Sequence, residues 1–106
     1  MSAYSIKVYP LKRQKKDGSF PIFIRIYINS NKKEIYLNFS IKDLKDFDDS
    51  KERIRSNVFN ANNYNLIISN YIQKLRQYFL DCEYKNVQPS IFGLENFINN
   101  KSSSLS

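Results

Sequence analysis

Arg25 stands in the segment FPIFIRIYIN, residues 20–29, with Phe23 and Tyr27 two positions to either side. In a strand, side chains two apart share a face, so this spacing sets a guanidinium between two aromatic rings. A guanidinium is a rigid fork of donors that matches guanine O6 and N7, and aromatic rings are stacking surfaces for bases. Two basic runs flank the segment: Lys12, Arg13, Lys15 and Lys16 before it, Lys32 and Lys33 after it. Cationic side chains in such runs contact phosphates. The chemistry available is therefore recognition of a polyanion. Bond-making chemistry has little to work with, because the chain has no histidine and a single cysteine, Cys82. That excludes Ser-His and Cys-His nucleophiles, an intramolecular disulfide and a thiolate metal cage.

The charge distribution points the same way. The 106 residues carry a net +7, and residues 1–41 hold eight Lys/Arg against only Asp17 and Glu34. Residues 42–106 hold nine against eight. A basic excess by itself serves solubility equally well; its concentration beside aromatic residues turns the reading toward nucleic acid. A lone free cysteine, no apolar leader in MSAYSIKVYP and no stretch near the ~20 apolar residues of a membrane span lead us to expect a soluble, cytoplasmic chain.

The elements that must position these residues follow from periodicity. Tyr4 to Leu11 alternates and predicts a first strand; Phe20 to Asn29 predicts a second, with Phe20, Ile22, Ile24, Ile26 and Ile28 as its core face. Asp17-Gly18 signals the turn between them, and Ser30-Asn31 the next. Lys32 to Ile41 predicts a third strand, with Lys33, Ile35, Leu37, Phe39 and Ile41 on one face and Lys32, Glu34, Tyr36, Asn38 and Ser40 on the other. Residues 42–59 lose the alternation and read as an irregular connection with a short helical turn, from which Phe47, Ile54 and Val58 tuck into the core. From Tyr64 the stripe Ile67, Ile68, Tyr71, Ile72, Leu75, Tyr78, Phe79 predicts an amphipathic helix to about Glu83, with Asn60, Asn62 or Asn63 as cap. Pro89-Ser90 opens a short second helix bearing Ile91, Leu94, Phe97 and Ile98, and NNKSSSLS reads as a low-complexity mobile tail.

The expected fold class is α+β: a three-stranded antiparallel sheet packed on one long helix, plus a short C-terminal helix. The expected division is 1–83 for the sheet and helix and 84–106 for the short helix and linker or tail. The long helix covers the even face of strand two, which leaves the odd face bare. Strand parity puts Lys7, Tyr9, Phe23, Arg25, Tyr27, Tyr36 and Asn38 on that bare face, with Lys12 to Lys16 at one end and Lys32 and Lys33 at the other.

On such a ribbon Arg25 would read guanine, Asn29 or Asn38 adenine, and the lysines and tyrosines would hold phosphates in the major groove. The same face would equally stack single-stranded bases on Phe23, Tyr27 and Tyr36. Structural roles compete with both readings. Aromatic residues pair across strands, and Arg25 has Glu34 as a cross-strand partner. The acidic cluster Asp43, Asp46, Asp48, Asp49 lacks the glycine and terminal glutamate of a calcium loop, so it reads as a solvated loop. No cofactor or metal is expected.

The order of these pieces resembles a known family. Leu11-Lys12, the Lys15 to Gly18 turn, Pro21-Ile22, Arg25-Ile26, Asn31 to Lys33 and Ile41-Lys42 follow the pattern of the N-terminal arm-type DNA-binding domains of tyrosine recombinases, the integrases of phages and conjugative transposons. The resemblance spans residues 4–98. Two departures are Phe47-Asp48 where the family has Trp-Asp, and Ser30-Asn31 where Asn-Gly is usual.

The resemblance implies a non-catalytic domain that recognises arm-type sites on double-stranded DNA and supports site-specific integration of a mobile element. Its partners would be that DNA, other recombinase protomers and host DNA-bending factors, with no membrane and no small-molecule substrate. It also implies core-binding and catalytic domains, which this chain lacks, whether it is an excised domain or a stand-alone relic. The DNA-binding set expected is Lys7, Tyr9, Lys12, Arg13, Lys15, Lys16, Phe23, Arg25, Tyr27, Lys32, Lys33, Tyr36 and Asn38. The alternatives are a protein–protein module of a recombination complex, acting through the near-neutral helical half, and a single-stranded nucleic-acid module.

Overall fold

The computed structural model describes residues 4–103. Three strands, β1 (Tyr4–Pro10), β2 (Phe20–Ile28) and β3 (Asn31–Ile41), form an antiparallel sheet in the order β1-β2-β3. A 3-10 turn (Leu44–Asp46) leads into a small hairpin, β4 (Phe47–Asp48) and β5 (Arg53–Ile54), followed by the long helix α1 (Ala61–Lys85) and the shorter α2 (Ile91–Ser103). The fold class is the α+β arrangement expected. The stretch expected as a low-complexity tail is shorter than its composition suggests, because α2 continues to Ser103; residues 104–106 lie outside the described residues.

The even face of β2 makes the core. Ile22, Ile24, Ile26 and Ile28 are essentially fully buried, joined by Val8, Leu37 and Ile41 from the neighbouring strands and by Ile68, Leu75, Tyr78 and Phe79 from α1. Burying each isoleucine contributes about 1.5–3 kcal/mol. Helix α1 lies across this face from the Phe39 end, where Tyr64 stacks on Phe39 with ring centroids 4.3 Å apart, to the Tyr4 end, where Phe79 stacks on Tyr4 at 3.8 Å. Phe47 and Ile54 are buried and Val58 packs against the core, as the sequence suggests.

Local chemistry explains the boundaries. The β2–β3 turn is Asn29-Ser30, not Ser30-Asn31: Asn29 takes φ 57° and Asn31 already pairs with Ile28. The register between β2 and β3 jumps between Pro21 and Phe23, so Leu37 to Phe39 bulge opposite Ile22. The jump is two residues, which preserves which side chains share a face. Pro21 sits in this irregularity, where a missing N–H is tolerated.

Helix α1 begins three residues before Tyr64. Asn60 precedes it with φ 64° and makes no side-chain cap; its carbonyl accepts the first helical bond, from the Tyr64 N–H at 3.0 Å. At the other end Asn86, φ 58°, closes a Schellman-type cap, with the Val87 N–H donating to the Cys82 carbonyl at 2.8 Å.

Two side chains stitch on the pieces that periodicity does not reveal. Asn65 of α1 pairs with the Ile54 backbone like a neighbouring strand, its Oδ1 accepting at 2.8 Å and its Nδ2 donating at 3.0 Å. Glu52, in the tip of the β4–β5 hairpin, accepts from the Val8 N–H at 3.2 Å and so occupies a donor on the outer edge of β1.

Helix α2 returns against β3 and α1. Leu94 is fully buried, Lys33 pairs with Glu95 at 2.7 Å, and the Tyr78 hydroxyl accepts from the Ser90 N–H at 3.0 Å. Burial raises the Tyr78 pKa above its ordinary value and keeps the phenol neutral in that latch.

Candidate nucleic-acid interface

The face of the sheet opposite the helices carries the side chains of Lys7, Tyr9, Phe23, Arg25, Tyr27, Lys32, Glu34, Tyr36 and Asn38. Register sets Lys7 opposite Arg25, Arg25 opposite Glu34, Tyr9 and Tyr36 on either side of Phe23, and Tyr27 opposite Lys32. Tyr36 is half exposed, Tyr27 is exposed at 37 %, and Lys7, Lys32 and Asn38 are also open.

Phe23 departs from the expectation of a free stacking ring. It is only 4 % exposed, because Tyr9 and Tyr36 close over it with ring centroids 5.2 and 5.3 Å away. It is the hub of an aromatic trio laid across all three strands. Such cross-strand pairs stiffen a sheet.

Arg25 sits on that trio. Its Cζ lies 5.3 Å from the ring centroids of both Tyr9 and Phe23. Nε donates to Glu34 Oε2 at 2.8 Å, Nη2 donates to the same oxygen, and Nη1 donates to the Tyr9 hydroxyl at 3.4 Å. The cross-strand pairing with Glu34 anticipated as a structural role is thus realised. The bond to Glu34 raises the guanidinium pKa further, with burial opposing, so the group is charged at any pH of interest.

Lys33 lies on the helix-covered side of β3, where its ammonium meets Glu95, rather than among the cations of the open face. Lys32, one residue earlier, points to the open side, as period-two alternation requires. Lys7 is 4.0 Å from Glu52 at an exposed position, a separation that leaves it effectively a free cation.

The β1–β2 loop supplies the densest charge. Lys12, Arg13, Lys15 and Lys16 are all exposed. The loop closes on itself: the Lys15 N–H donates to the Ser19 carbonyl at 2.7 Å and the Gly18 N–H to the Lys15 carbonyl at 2.9 Å. Gly18 has φ 86°, a conformation that needs glycine. Asp17 Oδ1 accepts from the Ser19 hydroxyl at 2.6 Å and its N–H at 3.0 Å, which lowers the Asp17 pKa. Lys15 reaches Ser40 of β3 at 3.5 Å; Lys12, Arg13 and Lys16 make no ion pair among the described residues. The result is a backbone-fixed platform bearing side chains ready for phosphates.

The acidic cluster serves the connection. Asp43 caps the Lys45 N–H at 2.9 Å, and Asp48 accepts from Ser50 and Lys51 and faces Arg55 at 3.7 Å. Glu34 and Glu52 are the site neighbours whose importance sequence alone understates. Glu34 was legible only as a counter-charge, and nothing in the spacing signals that Glu52 would reach β1. Among the described residues, no helix is long and apolar enough to cross a membrane.

A family model described as the Arm DNA-binding domain matches residues 8–92, which takes in β1 from Val8, all of β2 and β3, the basic loop, the small hairpin and all of α1. No curated protein and no solved structure shows a significant match to the chain. The match covers most of the sequence and agrees with an open basic face: the chain belongs to the arm DNA-binding domain family, non-catalytic modules that bind double-stranded DNA in site-specific recombination.

Proposed function

We propose that the domain grips arm-type sites by laying the open face of β1-β2-β3 into the major groove. The carrying observation is that a sheet face left uncovered by either helix ends in a self-braced loop of four exposed cations. The groove is about 12 Å wide and admits a β-ribbon. In this reading Lys12, Arg13, Lys15 and Lys16 hold phosphates on one flank and Lys7 and Lys32 hold them further along, while Arg25 and Asn38 address base edges beside the exposed hydroxyls of Tyr27 and Tyr36. Tyr9 and Phe23 support Arg25 from beneath. Lys33 acts through α2 rather than on DNA. The parent protein in this reading is a recombinase whose catalytic domain lies elsewhere.

A fluorescence titration against duplexes from the ends of the element tests this. Binding tighter than micromolar with a steep salt slope is expected, since each phosphate contact adds about −0.9 to the slope of log K against log salt. Weak, salt-insensitive binding contradicts it. The single-strand reading loses support because Phe23 is closed, leaving few open rings for a stacking track.

A second surface favours a protein partner in addition. Leu80 near the C-terminal end of α1 and Val87 just beyond it are exposed and line, with Tyr4, a shallow cavity of about 420 Å³; Tyr84 in the last turn of α1 is exposed as well. Other protomers or host DNA-bending factors are the partners it would suit.

A further inference from the structure

We propose that Glu34 is a specificity-determining residue: with Arg25 it forms one reading unit for adjoining guanine and cytosine bases. This rests on the proposed sheet-face reading and adds to it a residue and a base preference.

The argument starts from placement. Glu34 is the one carboxylate that strand register puts in the middle of the open face, directly opposite Arg25. A negative charge there repels phosphates, so a surface that served only to attract DNA would be better without it. The pair does tie β2 to β3, with the two side chains 26 % and 28 % exposed, but joining two strands does not by itself require a charge at this position.

The geometry suggests another task. Arg25 spends its Nε and one Nη2 proton on Glu34 and one Nη1 proton on Tyr9. A guanidinium carries five N–H donors, so these three bonds leave one donor on each terminal nitrogen, beside the Tyr27 side chain. Two such donors are what guanine O6 and N7 accept together. Glu34 and the two rings at 5.3 Å hold the group in place before DNA arrives, so little side-chain freedom is lost on binding.

Glu34 itself is half used. Both bonds from Arg25 go to Oε2, and Oε1 accepts from no donor among the described residues. A carboxylate oxygen free on a major-groove face accepts from the N4 amino group of cytosine. The adenine N6 amino group offers a donor too, but adenine N7 beside it is an acceptor that repels the second carboxylate oxygen.

The test is selection of binding sites from a random-sequence duplex pool by the intact chain, followed by titration of the selected duplex and a random duplex at one salt concentration. The wild type is expected to select a guanine with a cytosine next to it. Glu34→Ala should bind the random duplex at least as tightly and lose about tenfold in the ratio of selected to random affinity. Glu34→Gln should move the preference at the cytosine position toward adenine, which Gln reads through N6 and N7. It keeps an oxygen for Arg25, so it remains informative if Glu34→Ala fails to fold, which circular dichroism reports.

If both variants select the same bases as the wild type, Glu34 is a strand-pairing group and the inference is wrong. If the wild type binds duplexes with a steep salt slope but selects no sequence, the inference fails while the DNA-binding reading stands. Absence of duplex binding overturns both.

Discussion

The two faces of β2 alternate residue by residue along one nine-residue strand, yet they solve opposite problems. The even face holds four isoleucines sealed under α1, with no polar group to satisfy. The odd face holds Phe23, Arg25 and Tyr27 under no helix, and organises them sideways: rings from β1 and β3 close over Phe23, and Glu34 and Tyr9 bind Arg25. The first face is stabilised by removal from water. The second is ordered by lateral contacts that leave charge accessible. Stability and recognition are therefore separable by parity, and substitutions on the two faces should have different signatures.

The largest effect is expected on the sealed face. Ile24→Ala empties a site with no exposure and should destabilise the fold by about 2–5 kcal/mol, read as a drop in the urea midpoint. The fraction that remains folded should keep its DNA affinity. An Ile24→Ala chain that lost affinity while keeping its midpoint would break the division between faces.

Next comes the basic loop. Replacing Lys12, Arg13, Lys15 and Lys16 together by alanine should flatten the salt slope by up to about 3.6 while leaving the urea midpoint nearly unchanged. An unaltered slope would move the phosphate contacts elsewhere.

A smaller effect belongs to the α2 latch. A Cβ built on Gly93 lies 2.5 Å from the Tyr78 hydroxyl. Gly93→Ala should therefore displace the hydroxyl from Ser90 and cost about 1–3 kcal/mol, with faster amide exchange in α2 as the local readout. DNA affinity should not change, because this contact sits on the helix side.

The smallest effect is on acid stability. Hydrogen bonds from Ser19 and Ser50 lower the pKa values of Asp17 and Asp48 in the folded chain. Their contributions are present above the unfolded value of about 3.9 and are lost as pH falls through the lowered folded values. Carboxyl NMR titration should give midpoints below that of a free aspartate for both; ordinary midpoints would mean the two turns are open in solution.

How much of this was legible in the sequence follows the same division. The five even positions of β2 and the Tyr64 to Phe79 stripe announce a sheet sealed by a helix, because burial enforces strict periodicity. The β4–β5 hairpin escapes, since two-residue strands are too short to alternate and are held by a side chain, Asn65, eleven residues downstream of Ile54. The turn slips by one because Asn29 itself takes the left-handed conformation.

On the open face, parity correctly gathers Lys7, Tyr9, Arg25, Tyr27, Tyr36 and Asn38. It cannot show that Phe23 is shielded by its lateral neighbours. Lys33 misleads for a related reason. Its place in a basic pair suggests the turn cations, while its strand position assigns it to the covered side, where Glu95 arrives from a helix 62 residues away.

The central claim is that DNA meets the odd face of the sheet and not the helices. Backbone amide NMR of the chain, titrated with duplex DNA, tests it most directly. The account predicts shifts concentrated at Lys7, the Lys12 to Ser19 loop, Arg25, Lys32 and Tyr36, with Ile68 to Cys82 of α1 unmoved. Shifts centred on α1 and α2 with a quiet sheet would contradict it.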